Sequence, residues 1–362
     1  MIPSHLPKPQ PKITLKFLAE HLGLSRTTVS IVLNHAPQSS TISASTRKRI
    51  LDAAAQFDYK PSFLGRSLNA GRSFLIGVIS PDLAEGYTAG LLGGIEQFLM
   101  NSEYQFFTAS HYWSPVRAQQ TTQLFIDRGV EGILMVNTPY SSRLSLPTVH
   151  IGRTHDEPCG TSLIVHNHMG VLLGMRHLVE LGHRKLAFIR GHQGSVDSED
   201  RWNAVLAAAQ ELSVPIDPHL VVQLERLDLM SLSAIEEGAR CADQLIPHRG
   251  QFTALMAFND MSAIGAINRF RSAGWSIPQD LSVLGFDDVV EARIAFPALS
   301  TIQQPLHSIG EAAARELIEC IANGTPRRTL TFFPTLVVRD STAPCCPTPR
   351  LQPLRNLASP VQ

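Results

Sequence analysis

The sequence predicts an all-helical N-terminal unit followed by an α/β core of doubly wound parallel sheets folded as two lobes. Three observations lead there. Apolar residues recur at helical spacing through residues 14–57, with turn residues between three short runs. From Phe74 onward, short apolar runs bounded by turns alternate with amphipathic segments, the pattern of βα units. Charge is also unevenly divided. Ten Lys or Arg stand against three acidic residues in the first 73 positions, a net +7, and 21 against 28 in the remainder, a net −7, although the 362-residue chain as a whole is neutral. Such polarity suits a first segment that meets a polyanion and a remainder with a different task.

Each element of the helical unit has its own start and stop. Residues 1–11 are proline-rich and read as a flexible arm. Thr14 caps a helix, "LKFLAEHL", in which Leu15, Leu18, Ala19 and Leu22 share a face, and Gly23 ends it. Ser25 caps "RTTVSIVLN", which buries Val29, Val32 and Leu33 and turns Arg26, Thr27, Ser30 and Ile31 outward. A polar stretch leads to "TRKRILDAAAQF", with Ile50, Leu51, Ala54 and Phe57 as its stripe and Tyr59 and Pro61 as its stop. The segment 62–73, "SFLGRSLNAGRS", has marginal helical propensity and closes the basic region.

In the core, strands are predicted at 74–80, 105–110, 132–137, 147–152, 162–167, 185–191, 220–225, 254–259, 281–288 and 299–305. Helices separate most of them, at about 87–101, 117–128, 169–181, 200–212, 231–246, 260–273 and 306–322. Ten strands are more than one such sheet needs, hence two lobes, with a ligand expected between them at the carboxyl ends of strands.

Composition narrows the function. A chain of 362 residues is too long for a lone DNA-binding module, and 44% hydrophobic with 17% charged residues is ordinary for a globular protein. No run of about 18 apolar residues occurs, and prolines in "MIPSHLPKPQPK" interrupt the apolar stretch that a secretory signal requires, so a cytoplasmic location without membrane contact is expected. Cys159, Cys241, Cys320, Cys345 and Cys346 lack C-x-x-C spacing and read as reduced thiols. The histidines show no H-E-x-x-H spacing, so neither metal nor cofactor is expected. G-x-G-x-x-G, Walker A and G-x-S-x-G motifs are missing too, and no catalytic residues are assigned.

Two constellations carry chemistry. At the start of the second helix, Arg26, Thr27, Thr28 and Ser30 offer a guanidinium and short donors, which a major-groove reader needs; Arg26 can fork onto guanine N7 and O6. Thr14, Thr28, Ser30 and Asn34 suit phosphate or base-edge contacts, while Thr14, Ser25 and Asn34 serve equally well as caps. In the core, Asp82 with Tyr87, Arg153, Asp197 with Arg201, Asn259 and Asp287 fall at strand ends or in the loops after them. Carboxylate, amide and guanidinium together bond vicinal hydroxyls, and Tyr87, Trp202 or Phe258 can stack on a sugar face. His183 in "LGHRK" reads as structural.

"TLKFLAEHLGLSRTTVSIVLN", "STRKRILDAAAQFDYKPS", "RSLNAGRS", "IGVISPDL", "HLVELGHRKLAFIRG", "AFNDMSAIGAINRFRSAGWSIPQDLSVLGFDD" and "LSTIQQP" together resemble lactose-repressor-type (LacI/GalR family) transcription regulators, over about residues 12–340. The resemblance implies a helix-turn-helix head at 12–61 and a hinge helix and linker at 62–73. It further implies a core at 74–340 of the type I periplasmic-binding-protein fold, with lobe 1 at about 74–165 and 305–329 and lobe 2 at about 166–304 and 330–340. A disordered tail is expected at 341–362.

By matching position, Arg26 and Thr27 are the base readers, and Leu68 is the wedge into a central minor-groove step. Lys12, Lys48, Arg66 and Arg72 supply phosphate contacts. Arg201 matches the ligand-clamping arginine and Asp287 the ligand carboxylate, with Gln304 beside them. Ile31 stands where many relatives carry Arg or Asn, Gly65 replaces a better helix former, and His166 replaces the Asp of "VDN". The implied protein is a homodimeric repressor that binds double-stranded DNA at a palindromic operator under a sugar-like effector. A sensor with weak, sequence-blind DNA binding, or an activator, would share these motifs.

Overall fold

The computed structural model describes residues 13–34, 37–59, 71–138, 144–153, 160–193, 195–225, 233–324 and 328–345. It divides into two compact units, Met1–Phe74 and Leu75–Gln362.

The first unit packs three helices, α1 (Leu15–Leu22), α2 (Arg26–Leu33) and α3 (Ala44–Gln56), around Leu18, Ala19, Val29, Val32, Ile50, Ala53 and Ala54. Thr14 and Ser25 cap α1 and α2 through their hydroxyls, as predicted, and Gly23 ends α1 at φ +64°, a conformation glycine adopts without strain. The stripe of α3 needs one correction. Leu51 is 45% exposed, and Ala53 is buried instead. Three short helices enclose so little volume that only a narrow face of α3 reaches the centre.

The second unit holds two six-stranded sheets. The first contains β1 (Leu75–Ser80), β2 (Gln105–Ser110), β3 (Gly132–Val136), β4 (Thr148–Ile151), β5 (Thr161–Val165) and β11 (Thr329–Phe332), in the order β11-β5-β4-β3-β1-β2 and parallel throughout. The second contains β6 (Leu186–Arg190), β7 (Val221–Gln223), β8 (Ala254–Met256), β9 (Ser282–Asp287), β10 (Ser300–Gln303) and β12 (Thr335–Val337), ordered β12-β10-β9-β8-β6-β7, with only β12 antiparallel. Sequence reasoning missed β11 and β12. Both are short, partly exposed edge strands, without the buried apolar run that marks the inner ones.

The helices are α4 (Gly86–Leu99), α5 (Pro115–Asp127), α6 (Asn167–Glu180), α7 (Val196–Glu211), α8 (Ala234–Leu245), α9 (Asp260–Ser272), α10 (Val290–Ile294) and α11 (Leu306–Asn323). In lobe 2 the strands are apolar on both faces. Leu186 and Phe188 join Val171, Met175, Ala204 and Ala208 of α6 and α7, while Ala187 and Ile189 join Cys241, Leu245, Ala266 and Phe270 of α8 and α9. Residues 341–345, expected in the tail, are packed. Ser341 is fully buried, its hydroxyl donating to Val283 O, and Cys345 N–H donates to Leu181 O. Buried His183 pairs with Thr253 Oγ1 (2.9 Å) and Ala343 O (3.0 Å), a structural role.

In both sheets the strand order reverses beside the first strand, β1 and β6. Ligand crevices of doubly wound sheets open there, outside the carboxyl ends of the strands.

Candidate functional site

The head presents the first turn of α2. Ser25 Oγ accepts from Thr28 N (3.0 Å) and lies 2.8 Å from Thr28 Oγ1, so Thr28 supports the cap, while Arg26 and Thr27 stand exposed. With no acidic residue in that turn, the positive end of the helix dipole and the Arg26 charge favour an anion there together. Thr14 is exposed and engaged as the α1 cap, and Asn34 Nδ2 donates to Ser30 Oγ (3.0 Å). Lys48 is exposed, whereas Arg47 and Arg49 donate to Ser39 O and Leu22 O and brace the head. Arg72 is exposed with its guanidinium over the Phe74 ring. Lys12, Gly65, Arg66 and Leu68, together with most of the expected hinge helix, lie outside the described residues.

In the second unit, residues distant in sequence converge from both lobes. Tyr87, in the first turn of α4, hydrogen-bonds the Asn137 side chain at the end of β3. Burial pushes the phenol upward, and the carboxylates of Asp197 and Asp287 from lobe 2 push it the same way. Asp197 sits in the first turn of α7, where burial raises its pKa against the opposing Arg201 one turn along. Gly152, at φ +102°, permits this approach, because a Cβ there would fall 2.1 Å from Asn137 Oδ1 and 3.7 Å from Asp197 Oδ2.

Arg201 is 7% exposed. It donates to Asn167 Oδ1 (3.2 Å) and Phe258 O (2.6 Å) and lies over the rings of Phe286 (3.8 Å) and Phe258 (4.5 Å). Asp287 follows at the end of β9 with φ +124°, and Gln304 Nε2 donates to it at 2.6 Å. Burial holds its carboxyl well above the usual range, despite Arg201. A small, partly open pocket in lobe 2 is lined by Phe188, Arg190, Ser198, Arg201, Trp202 and Phe258 among others.

The remaining predicted residues take other positions. Asp82 accepts from Ala84 N (3.0 Å) within its turn. Arg153 contributes its backbone N–H to Asp197, while its half-exposed side chain pairs with Asp200 at 3.1 Å. Asn259 is engaged as the cap of α9, accepting from Ser262 N. His166 Nδ1 accepts from Met169 N (3.2 Å), so the imidazole caps α6 as a carboxylate would. Sequence reasoning passed over Asn137 and Asn167 as contributors, although each follows a predicted strand directly. Among the described residues no cluster of His, Cys, Asp or Glu is placed to hold a metal, and no helix is long and apolar enough to cross a membrane.

The arrangement offers carboxylates, amides, guanidinium groups and aromatic faces, a set that binds vicinal hydroxyls. Comparison with known proteins agrees in both units. Residues 14–62 match the family described as bacterial regulatory proteins, lacI family, and residues 175–342 match the periplasmic binding protein-like domain. A ribose operon repressor of Haemophilus influenzae is 29% identical over 335 residues, covering 91% of this chain and 98% of the relative. The repressor PurR of the same organism is 27% identical, with the same coverage. Among solved structures, a lac repressor dimer bound to operator and the anti-inducer ONPF superposes with a TM-score of 0.79 at 25% identity, over 92% of this chain and all of the other. A regulator from Enterococcus faecium with bound ribose, 22% identical, shares the fold over 75% of this chain and all of the other, with a TM-score of 0.63.

Proposed function

Because this chain belongs to the LacI family of bacterial regulatory proteins, we propose that it is a ligand-controlled transcriptional repressor, acting as a homodimer on a palindromic operator. Twofold symmetry brings two heads to two half-sites about one helical turn apart, and neither head alone holds DNA well. In this reading Arg26 and Thr27 reach base edges, Thr28 and Ser30 stiffen the turn that presents them, and Lys48 and Arg72 supply salt-dependent phosphate contacts. Leu68 is assigned the central minor-groove step. The protein works by binding alone, without a catalytic step, and in the cytoplasm where its DNA is.

The convergence of Tyr87 from one lobe with Asp197, Arg201 and Asp287 from the other carries the effector assignment. A polyhydroxy compound donates to both carboxylates and accepts from Arg201, so it binds one lobe angle better than another and shifts the population toward it. DNA and effector then change each other's affinity by the same factor. The named function of the ribose operon repressor and the ribose in the Enterococcus faecium structure support a sugar-like compound.

The test is selection of the purified protein on randomised duplexes at about 150 mM salt, where non-specific binding is already weakened. Enrichment of a palindrome around a flexible central step is expected. Binding that fades with salt and favours no sequence would refute the operator reading.

A further inference from the structure

Beside the Arg201 cluster lies a group of residues with no part in it. Glu237, in the first turn of α8, has a side chain only 2% exposed, and its Oε2 accepts from His192 Nε2 at 2.7 Å. Since a carboxylate only accepts, Nε2 carries a proton, and with that proton alone on the ring Nδ1 presents a lone pair. Both Nδ1 of His192 and Oε1 of Glu237 are buried without a hydrogen-bond partner among the described residues. Two unpartnered polar atoms on one buried pair are what folding alone selects against.

The other wall comes from lobe 1. The Trp113 ring lies 5.6 Å from the His192 ring at a tilt of 32°. Its placement is built with care. Tyr112 and Trp113 both adopt positive φ, 49° and 58°, and fully buried His111 accepts from Trp113 N at 3.0 Å while its ring meets the indole edge-on. Consecutive strained residues of this kind persist where the surroundings enforce them, often at ligand clamps. His192 lies in the connection between β6 and α7, just before Asp197 in the first turn of α7, and its neighbour Gly191 lines the same pocket as Arg201.

We propose that Trp113, His192 and Glu237 form a second polar subsite of the cleft, taking a hydrogen-bond-donor group of the effector, an amine or a hydroxyl, whose carbon face lies on the indole. This rests on the reading of the cleft as an effector site. An ammonium has protons enough for both Glu237 Oε1 and His192 Nδ1, whereas a hydroxyl donates its one proton to Glu237 Oε1 or to His192 Nδ1. An ammonium gains further from the aromatic face and from the buried carboxylate of Glu237.

The experiment uses the full chain, thermal shift and titration calorimetry, with D-ribose, cellobiose, D-glucose and D-glucosamine as probes, on the parent and on Arg201→Ala, Glu237→Gln and Trp113→Leu. At least one probe is expected to stabilise the parent, to lose its effect in Arg201→Ala, and to bind about 10- to 100-fold more weakly in Glu237→Gln and Trp113→Leu. D-Glucosamine bound more tightly than D-glucose identifies the donor as an ammonium, and equal affinity identifies it as a hydroxyl. Binding lost in Arg201→Ala yet undiminished in the other two variants overturns the subsite and leaves the effector cleft standing. Stabilisation that survives Arg201→Ala, or by no probe at all, overturns both. Trp113→Leu leaves the His192–Glu237 pair in place and decides the matter if Glu237→Gln fails to fold.

Discussion

Arg201 Nε donates to Asn167 Oδ1 at 3.2 Å, which joins α7 to the first turn of α6, the helix that begins where the chain leaves the first sheet for the second. Asn167 Nδ2 in turn donates to Asp200 Oδ2 at 2.8 Å. The guanidinium to which the proposed function assigns the effector thus also sits at a crossover between lobes, where a change in lobe angle is felt.

Arg201→Ala therefore abolishes the effector response and spares operator binding. It leaves Asn167 and the Phe258 carbonyl short of a donor, at a cost of about 1–3 kcal/mol to the core. Operator titrations with and without effector check the first part and denaturant unfolding the second. An unchanged effector titration contradicts the assignment.

In the head, Arg26→Ala relaxes preference at one base pair of each half-site and costs about 1–3 kcal/mol. Binding measured on the selected operator and on random duplex separates the outcomes. Equal losses on both make Arg26 a phosphate contact.

Three buried carboxyls make stability depend on pH. Burial raises Asp287 well above the ordinary range, lifts Asp197, and brings Asp260 to about 6. Each binds its proton more tightly folded than unfolded, so the stability it contributes is intact below about pH 4, where the unfolded groups titrate, and is lost as pH rises through the folded values. Without effector, the share of stability these three groups supply falls as pH rises from 4 through 6 and beyond, and Asp287→Asn removes its part of that fall and raises stability at pH 7. Effector donors to Asp287 favour the carboxylate, so effector affinity rises over the same range. Identical pH profiles for the parent and Asp287→Asn contradict this account.

On the outside of lobe 2, Val290, Ile294 and Phe296 are 68%, 76% and 78% exposed along α10 and the turn after it. Under the proposed dimeric reading, an apolar patch of this kind marks the partner surface. Ile294→Glu should weaken dimerisation at least about 100-fold, read as a fall in mass by light scattering, while effector binding in the cleft persists. An unaltered dimer places the interface elsewhere.

Caps and turns were legible because they are local. Thr14 and Ser25 needed only a hydroxyl before an apolar run, and Gly23 only a helix end that demands positive φ. Leu51 was misplaced because periodicity gives a direction around the helix but not how far the neighbouring helices extend. The position of Asn259 after a strand suits a cleft residue and a helix cap alike, and the fold makes it the cap of α9. The pairing of His192 with Glu237 and the approach of Trp113 left no trace in spacing, since their elements meet only in the folded core.

The sequence by itself determined that a basic three-helix head precedes a two-lobed α/β core, and that Arg26 and Thr27 open the exposed helix. Periodicity, caps and charge act over a few residues and need no knowledge of neighbours. Tertiary structure alone decided which polar groups share a cleft. Tyr87 and Asp287 stand 200 positions apart in different lobes, and only packed sheets, with the chain passing between them, bring the two groups into one another's field.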